Sequence, residues 1–356
     1  ELFKDQPIEA AAGLLPLYEL LQLNPVFTSV IVESLTTEGG ASSSGPTNRP
    51  PMIFSFVSLA SYLFTHASSV GTPRSLSYAN STMRIIALMT SDEPMTAKFA
   101  RESGNIRICR QRLPRLPESP TSRPILCSIL DCLVLWLRHN LHKKLEVSSY
   151  RSCIYSVHSI LWMLGRQRIR LEYHWEELWK SIFLLLEFTS SRVDNVKVLG
   201  RVDELIEETL IALELATLLA ERLVPTPEAL HQFVYELVRS KDIVDRQLST
   251  LTALEVMIPS PSTQPRGVPL TIQAQALRAI KTIQGIITYY EGKINEKGTE
   301  MEIGDVMNVI ATEVERDGLQ TAPDREPEGP TRRLDSSSEG FVKWACRDGL
   351  ALLSSA

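Results

Sequence analysis

Glycine is scarce in this chain, 17 residues among 356, and no glycine group has the spacing that cradles phosphate. Walker phosphate loop, dinucleotide fingerprint, GxSxG elbow and HExxH helix are all missing, which removes the recognisable nucleotide-binding, hydrolase and zinc-protease readings. The 21 prolines gather between apolar runs. That distribution favours helices joined by loops over a glycine-rich barrel or a nucleotide-binding α/β sheet. The 5 cysteines are an odd set without CxxC spacing, and most sit among apolar neighbours, as reduced core thiols of a cytosolic protein do. His139 and His142 share one helix three residues apart, but no carboxylate or cysteine cluster completes a metal site. A solvated helix end explains them, and neither metal nor cofactor is expected.

Charge of one sign is lacking too. Lys and Arg total 37 against 42 Asp and Glu, a net charge of −5, so there is no global attraction to nucleic acid and basic binding has to be local. Purely apolar runs are short. The most membrane-like stretch, Leu205 to Leu223, carries Glu207, Glu208, Glu214 and Glu221 and reads as an amphipathic helix instead of a span. No signal peptide is visible, and a first residue of Glu1 instead of Met suggests a fragment or processed chain.

What the chain has in quantity is helical periodicity. In Ser122 to Leu141, Ile125, Ile129, Cys132 and Trp136 recur at helical spacing with Leu126, Leu130, Leu133 and Leu137 beside them. Val134 and Leu135 make that helix apolar nearly all round, so it has to be covered on two sides, as in the middle layer of a helical array. Helix starts near Arg123, Ser148 and His174 give a two-helix unit of roughly 50 residues, somewhat above the armadillo and HEAT periods. The expected fold is therefore all-α, an irregular armadillo/HEAT-like helical solenoid of antiparallel helices. Its expected parts are a helical hairpin over 1–35, a flexible linker over 36–51, a helical domain over 52–317, a disordered segment over 318–340 and a docking helix over 341–356. Within the domain, Thr226 and Pro227 open a helix expected to run to about Met257.

Few residues carry chemistry. Asp131 lies inside the apolar helix, where an unpaired charge is costly, so a structural hydrogen bond to Arg151, His158 or a helix terminus is expected. His158 falls on the apolar Cys153, Ile154, Val157 and Leu161 side and reads as a satisfied core histidine. An enzyme with an unrecognised site around Asp131 and His158 is the rival reading. Trp175 and Trp179 share one face with Ile182, Phe183 and Leu186, which points to core packing. Arg166, Arg168 and Arg170 follow the Tyr150 helix and suit a solvated cationic helix end, a partner's acidic segment or a phosphoinositide headgroup. Arg107, Arg110, Arg112 and Arg115 lie on a proline-broken loop, where core geometry explains arginines less easily, and they are the stronger partner-binding candidates.

Four motifs, NIRICRQRLP (105–114), SRPILCSILDCLV (122–134), YRSCIYSVHSIL (150–161) and RIRLEYHWEELWKSIFLLLEF (168–188), carry a resemblance to a known family. PTPEALHQFVYELV (225–238) and the closing helix 340–353 echo it more weakly. The chain resembles the armadillo-like helical domain-containing proteins of the type numbered three in vertebrates, whose C-terminal module was long a domain of unknown function. The resemblance implies further helices before this module and a non-catalytic adaptor, cytoplasmic and peripheral at Golgi membranes. It also implies support of phosphatidylinositol 4-kinase beta and of phosphatidylinositol 4-phosphate supply, Golgi organisation and secretory traffic. The large Golgi exchange factor for Arf GTPases is a further implied partner, and peripheral contact with anionic membrane is compatible with it. A generic transport solenoid is the other alternative.

Overall fold

The computed structural model describes residues 9–36, 50–142, 146–190, 201–257, 271–298, 301–319, 328–330 and 339–355. Among them the chain is all-α and armadillo-like, with one two-residue strand pair, β1 (Ser103–Gly104) against β2 (Arg123–Pro124). It forms two compact units, one of residues 1–163 with 332–356 and the other of 164–331. The span 52–317, expected as one domain, is thus divided between them. The first unit is closed by the C-terminal helix, which returns to helices near the start of the chain.

In the first unit a 3-10 turn (Glu9–Gly13) leads into α1 (Leu14–Leu23) and α2 (Pro25–Thr36). The two helices meet at a bend of 112°. Asn24 makes the corner: its amide donates to Leu20 O at 3.0 Å and its Oδ1 accepts from Val26 N at 3.0 Å. Pro25 then occupies the first helical position, where its missing N–H costs nothing. Residues 37–49 of the expected linker lie outside the described residues.

Helices α3 (Met52–Val70), α4 (Pro73–Ser91), α5 (Glu93–Arg101) and α6 (Ile125–His139) follow, and α7 (Val147–Gln167) begins in this unit. Their boundaries are written in the caps. Gly71 ends α3 in the left-handed conformation at φ 63°, and Thr72 and Ser75 form a reciprocal capping box around Pro73. Asp92 accepts from Met95 N at 2.8 Å to start α5. Helix α3 is long and apolar enough to cross a membrane by length and composition, but half of that window is buried inside the protein, where α3 packs against α4 and α6. Fourteen of the fifteen α6 residues are buried, Arg138 being the exception, as an all-round apolar helix requires. Tyr150 of α7 packs its ring 5.4 Å from Trp136 of α6.

The closing helix α14 (Glu339–Ser355) packs on the 3-10 turn, α1 and α4. Asp348, 2% exposed, takes two bonds from Arg74, at 2.8 and 3.1 Å, and a third from the Tyr78 hydroxyl. The Arg74 guanidinium also lies 5.5 Å from the Trp344 ring centre. Burial, and then the bond to Asp348, push the Tyr78 phenol up, so it stays a donor.

The second unit contains α8 (Trp175–Ser190), α9 (Val202–Leu223), α10 (Pro227–Arg239), α11 (Lys241–Met257), α12 (Ile272–Lys297) and α13 (Ile303–Asp317). Helix α12 packs on both α9 and α11, while α8 packs on α10 and α11. The single helix expected from 227 to 257 is two. Ser240 interrupts it, its carbonyl accepting from Ile243 and Val244 at 3.0 and 3.1 Å to begin α11. A one-residue break without glycine or proline leaves the apolar period nearly intact, which hides it from periodicity. Gly165 is required near the end of α7, where a Cβ would stand 2.5 Å from Leu219 Cδ1 of α9. Glu214, read as part of the polar stripe of α9, is 3% exposed and accepts from Thr282 Oγ1 of α12 at 3.1 Å. Residues 191–200 and the proline-rich 258–270 lie outside the described residues. So does most of the expected disordered segment, but its first two residues are anchored: Gly318 O accepts from Tyr290 OH at 3.3 Å and Leu319 N donates to Glu221 Oε1 at 2.9 Å.

The docking of α14 rests on one carboxylate that accepts three bonds from two partners. Asp348→Ala leaves Arg74 and Tyr78 without their acceptor, and a loss of about 3 kcal/mol is expected in denaturant unfolding, with faster protease cleavage of α14. Asp348→Asn should lose less, because the amide oxygen still accepts. An unchanged midpoint for Asp348→Ala would show that α14 is held by its apolar face alone.

Candidate interaction surface

The loop between β1 and β2 lies on α3 and is pinned to it by its backbone. Ser58 Oγ donates to Arg107 O at 2.8 Å, and Cys109 N donates to Ser61 Oγ at 2.9 Å. His66 Nε2 lies 2.9 Å from Gln111 Oε1, while Leu116, 5% exposed, plugs the loop into the core. Gly104 permits this approach, since a Cβ there would fall 2.2 Å from Phe54 Cζ. The loop is therefore a strap.

Its four candidate arginines have different fates. Arg112 turns inward, and its Nη1 donates to His139 O at 3.1 Å and Ser68 Oγ at 3.2 Å, with Thr65 O further off at 3.4 Å. Helix ends leave carbonyls without intrahelical donors. Arg112 fills that need where α3 and α6 end together, helped by Asn140, whose Nδ2 donates to Phe64 O at 2.7 Å and whose Oδ1 accepts from Ser68 N at 3.0 Å. His139, 4% exposed in this knot, is held down to about 4 by burial first, then by the charges of Arg112, Arg138 and His66, and so stays neutral at neutral pH. Arg110 is half-buried and closes the strap on itself, donating to Pro117 O at 2.9 Å. Arg107 and Arg115 are exposed.

Asp131, 3% exposed, forms an ion pair with Arg123 of β2, which also donates to Ser119 Oγ at 2.9 Å. A residue that precedes the helix is thus a partner of Asp131. Strand β2 fixes Arg123 over the first turns of α6, which no periodicity argument reaches. His158 is 9% exposed.

In the second unit, Trp175 and Trp179 are 2% and 1% exposed, with rings stacked at 5.4 Å and 13°. Trp175 Nε1 donates to Leu171 O at 3.0 Å, and Phe233 of α10 lies 4.8 Å from Trp179. Arg166, Arg168 and Arg170 are all exposed. Arg170 reaches Glu221 O at 3.1 Å, at the end of α9. Arg168 stands in the left-handed region at φ 53°. It occupies the position where a helix C-terminus favours glycine, with Ile169 N donating to Leu164 O at 2.9 Å and Arg168 N reaching Gly165 O at 3.4 Å. A residue with a Cβ is strained there.

Sequence reasoning missed Asn140, His66, Gln111 and Arg123. Each acts across 8 or more positions or across elements, and only a helix-ending Asn or a pre-helix Arg could have signalled two of them.

The sequence profile described as "Armadillo-like helical domain-containing protein 3, C-terminal" matches residues 123–321, more than half of the chain. The chain belongs to this family. Relatives named Armadillo-like helical domain-containing protein 3 from Xenopus laevis and Homo sapiens are each 24% identical over 246 residues, covering 67% of this chain and 34% of their own length. A UPF0588 membrane protein of Schizosaccharomyces pombe is 26% identical over 240 residues, covering 67% of this chain and 38% of its own. The chain thus spans little more than a third of the length of the curated relatives it matches. No solved structure matches it. The match begins at Arg123, so the strap arginines precede it while Arg166, Arg168 and Arg170 fall inside.

Arg112→Ala is expected to destabilise the protein by about 1–3 kcal/mol in chemical denaturation, whereas Arg115→Ala should stay within about 0.5 kcal/mol. Equal effects would contradict the division of the loop into inward and outward arginines. Arg168→Gly should raise the thermal midpoint, through a gain of about 0.5–1 kcal/mol from relief of the left-handed backbone. A drop would mean that the Arg168 side chain stabilises the fold more than its backbone strains it.

Proposed function

We propose that this chain is a non-catalytic helical scaffold, a peripheral adaptor at Golgi membranes. On this reading it supports phosphatidylinositol 4-kinase beta and with it phosphatidylinositol 4-phosphate supply and secretory traffic. The large Golgi Arf exchange factor is a further partner on this reading, and anionic membrane a peripheral one. Family membership supports the scaffold, and the resemblance in the four motifs motivates the partners. The observation that carries most weight is the different fate of the strap arginines. Arg110 and Arg112 are used internally to fix the loop, and that rigid loop holds Arg107 and Arg115 outward. A pinned loop loses little conformational entropy when a partner binds.

We rank the rival enzyme reading below this one. The Asp131 carboxylate is buried against Arg123, an arrangement that serves structure, since a buried carboxylate without a counter-charge is costly.

The test is a pull-down of purified kinase by the chain, repeated with Arg107→Ser/Arg115→Ser. Weaker capture and a shallower salt dependence are expected with helicity unchanged by circular dichroism, because rim charges act mainly through screened long-range attraction. Capture equal to the parent's would remove the strap from the mechanism. No capture by the parent would remove the adaptor reading.

A further inference from the structure

The corner between α1 and α2 leaves large apolar side chains in the open. Leu20 and Leu23 of α1 and Val26 and Val30 of α2 are 41%, 72%, 65% and 52% exposed. These are second faces, because α1 already buries Leu14, Leu17 and Tyr18 in the first unit and α2 buries Ile31 and Leu35. A contiguous exposed patch of this kind marks a contact surface. Two observations say what covers it. From Leu20 to Val32 there is no ionisable side chain, and Glu19 and Glu33 stand at the two borders. A protein partner is held in register by a polar and charged rim, which this stretch lacks, whereas the pair taken together is apolar enough to cross a membrane and is kept from spanning it as one rod by the 112° bend. The backbone at the break is also closed from within. Asn24 N donates to Leu20 O and Phe27 N to Asn24 O, both at 3.0 Å, and Val26 N donates to Asn24 Oδ1 at 3.0 Å. Pro25 has no N–H to satisfy, and the Thr28 hydroxyl returns to Pro25 O at 2.9 Å. Interrupted helix is tolerated in an apolar medium only when its freed polar groups are paired internally, as they are here.

We propose that the α1–α2 corner dips into the apolar layer of one leaflet of a lipid bilayer, with Leu20, Leu23, Val26 and Val30 as the inserted side chains. The inference deepens the membrane part of the proposed function and rests on it, but it uses a different surface from the strap. Arg107 and Arg115 need anionic lipid and lose their hold as salt screens it. The corner carries no positive charge, and its bordering carboxylates oppose an anionic surface, so it takes zwitterionic lipid and holds by apolar area alone. Glu19 and Glu33 set the depth: each stays at the level of the headgroups while the residues between them enter.

The probes are small vesicles of phosphatidylcholine alone and of phosphatidylcholine with phosphatidylserine, with bound chain measured by flotation. The parent should bind the neutral vesicles to the same extent at low and high salt. Leu23→Asp/Val26→Asp should lower that binding at least about tenfold, and Leu23→Met/Val26→Leu should keep it. Both positions are mostly exposed, and an Asp in the first turn of α2 suits a helix N-terminus, so the Asp pair should melt like the parent. Arg107→Ser/Arg115→Ser should leave neutral-vesicle binding unchanged. Binding of the parent to anionic vesicles only, or neutral-vesicle binding that survives the Asp pair, overturns the corner and leaves the peripheral membrane reading standing. Binding to neither vesicle overturns both. A parent that sediments as a dimer, becomes a monomer with the Asp pair and captures no neutral vesicle overturns the lipid in favour of a second copy of the chain.

Discussion

Carbonyl groups that their own helices cannot satisfy organise the first unit. Helices α3 and α6 end side by side, and each end leaves oxygens without intrahelical donors in a place that solvent barely reaches. His139 O, at the end of α6, receives the Arg112 guanidinium and the Ser68 hydroxyl instead, and Asn140 Nδ2 adds a bond to Phe64 O of α3. Because Arg112 comes from the loop that precedes α6, satisfying those oxygens forces the loop to cross α3. Crossing then aligns the remaining contacts: Ser58 and Ser61 hold the strap backbone, Leu116 plugs it, and Arg123 arrives over α6 to neutralise Asp131. The outward direction of Arg107 and Arg115 is a consequence of that demand.

Helices were legible in the sequence because one side chain in three or four reports its own burial. The all-round apolar run of α6 anticipated a covered helix, and Thr226 and Pro227 marked a helix start that the structure places at the cap and first position of α10. Joints were less legible. Ser240 breaks a helix without disturbing its apolar period, and the 112° corner at Asn24 rests on hydrogen bonds that the apolar pattern does not report. Long-range polar pairing was hardest. Nothing in the local pattern distinguishes Arg112, a donor to buried carbonyls, from Arg115 three residues later, which is exposed. An arginine's role depends on which oxygens lie within its reach, and those oxygens belong to residues 27 to 47 positions away.

The second unit solves a similar problem with aromatic area. Trp175, Trp179 and Phe233 form a continuous set of ring contacts from α8 into α10, and the large surface of each indole makes such a cluster a strong organiser. Gly165 complements it by letting the last turn of α7 approach Leu219. Where the helix then ends, Arg168 takes a backbone conformation that suits glycine. The structure thus accepts local strain at an exposed position while its core is closely packed a few residues on.

Strain and anchoring bear on function through the same physics. A charged side chain on a mobile loop gives up conformational freedom when a partner orders it, and that loss offsets part of each new contact. Arg107 escapes much of this, since the Ser58 bond already holds its carbonyl. Arg168 escapes it differently, because a helix end closed at both Leu164 O and Gly165 O fixes where its side chain starts. In both cases hydrogen bonds formed during folding have already met part of the ordering cost. Surfaces of that kind favour recognition by geometry and charge sign over deep apolar burial, and their attraction weakens as salt shortens its range.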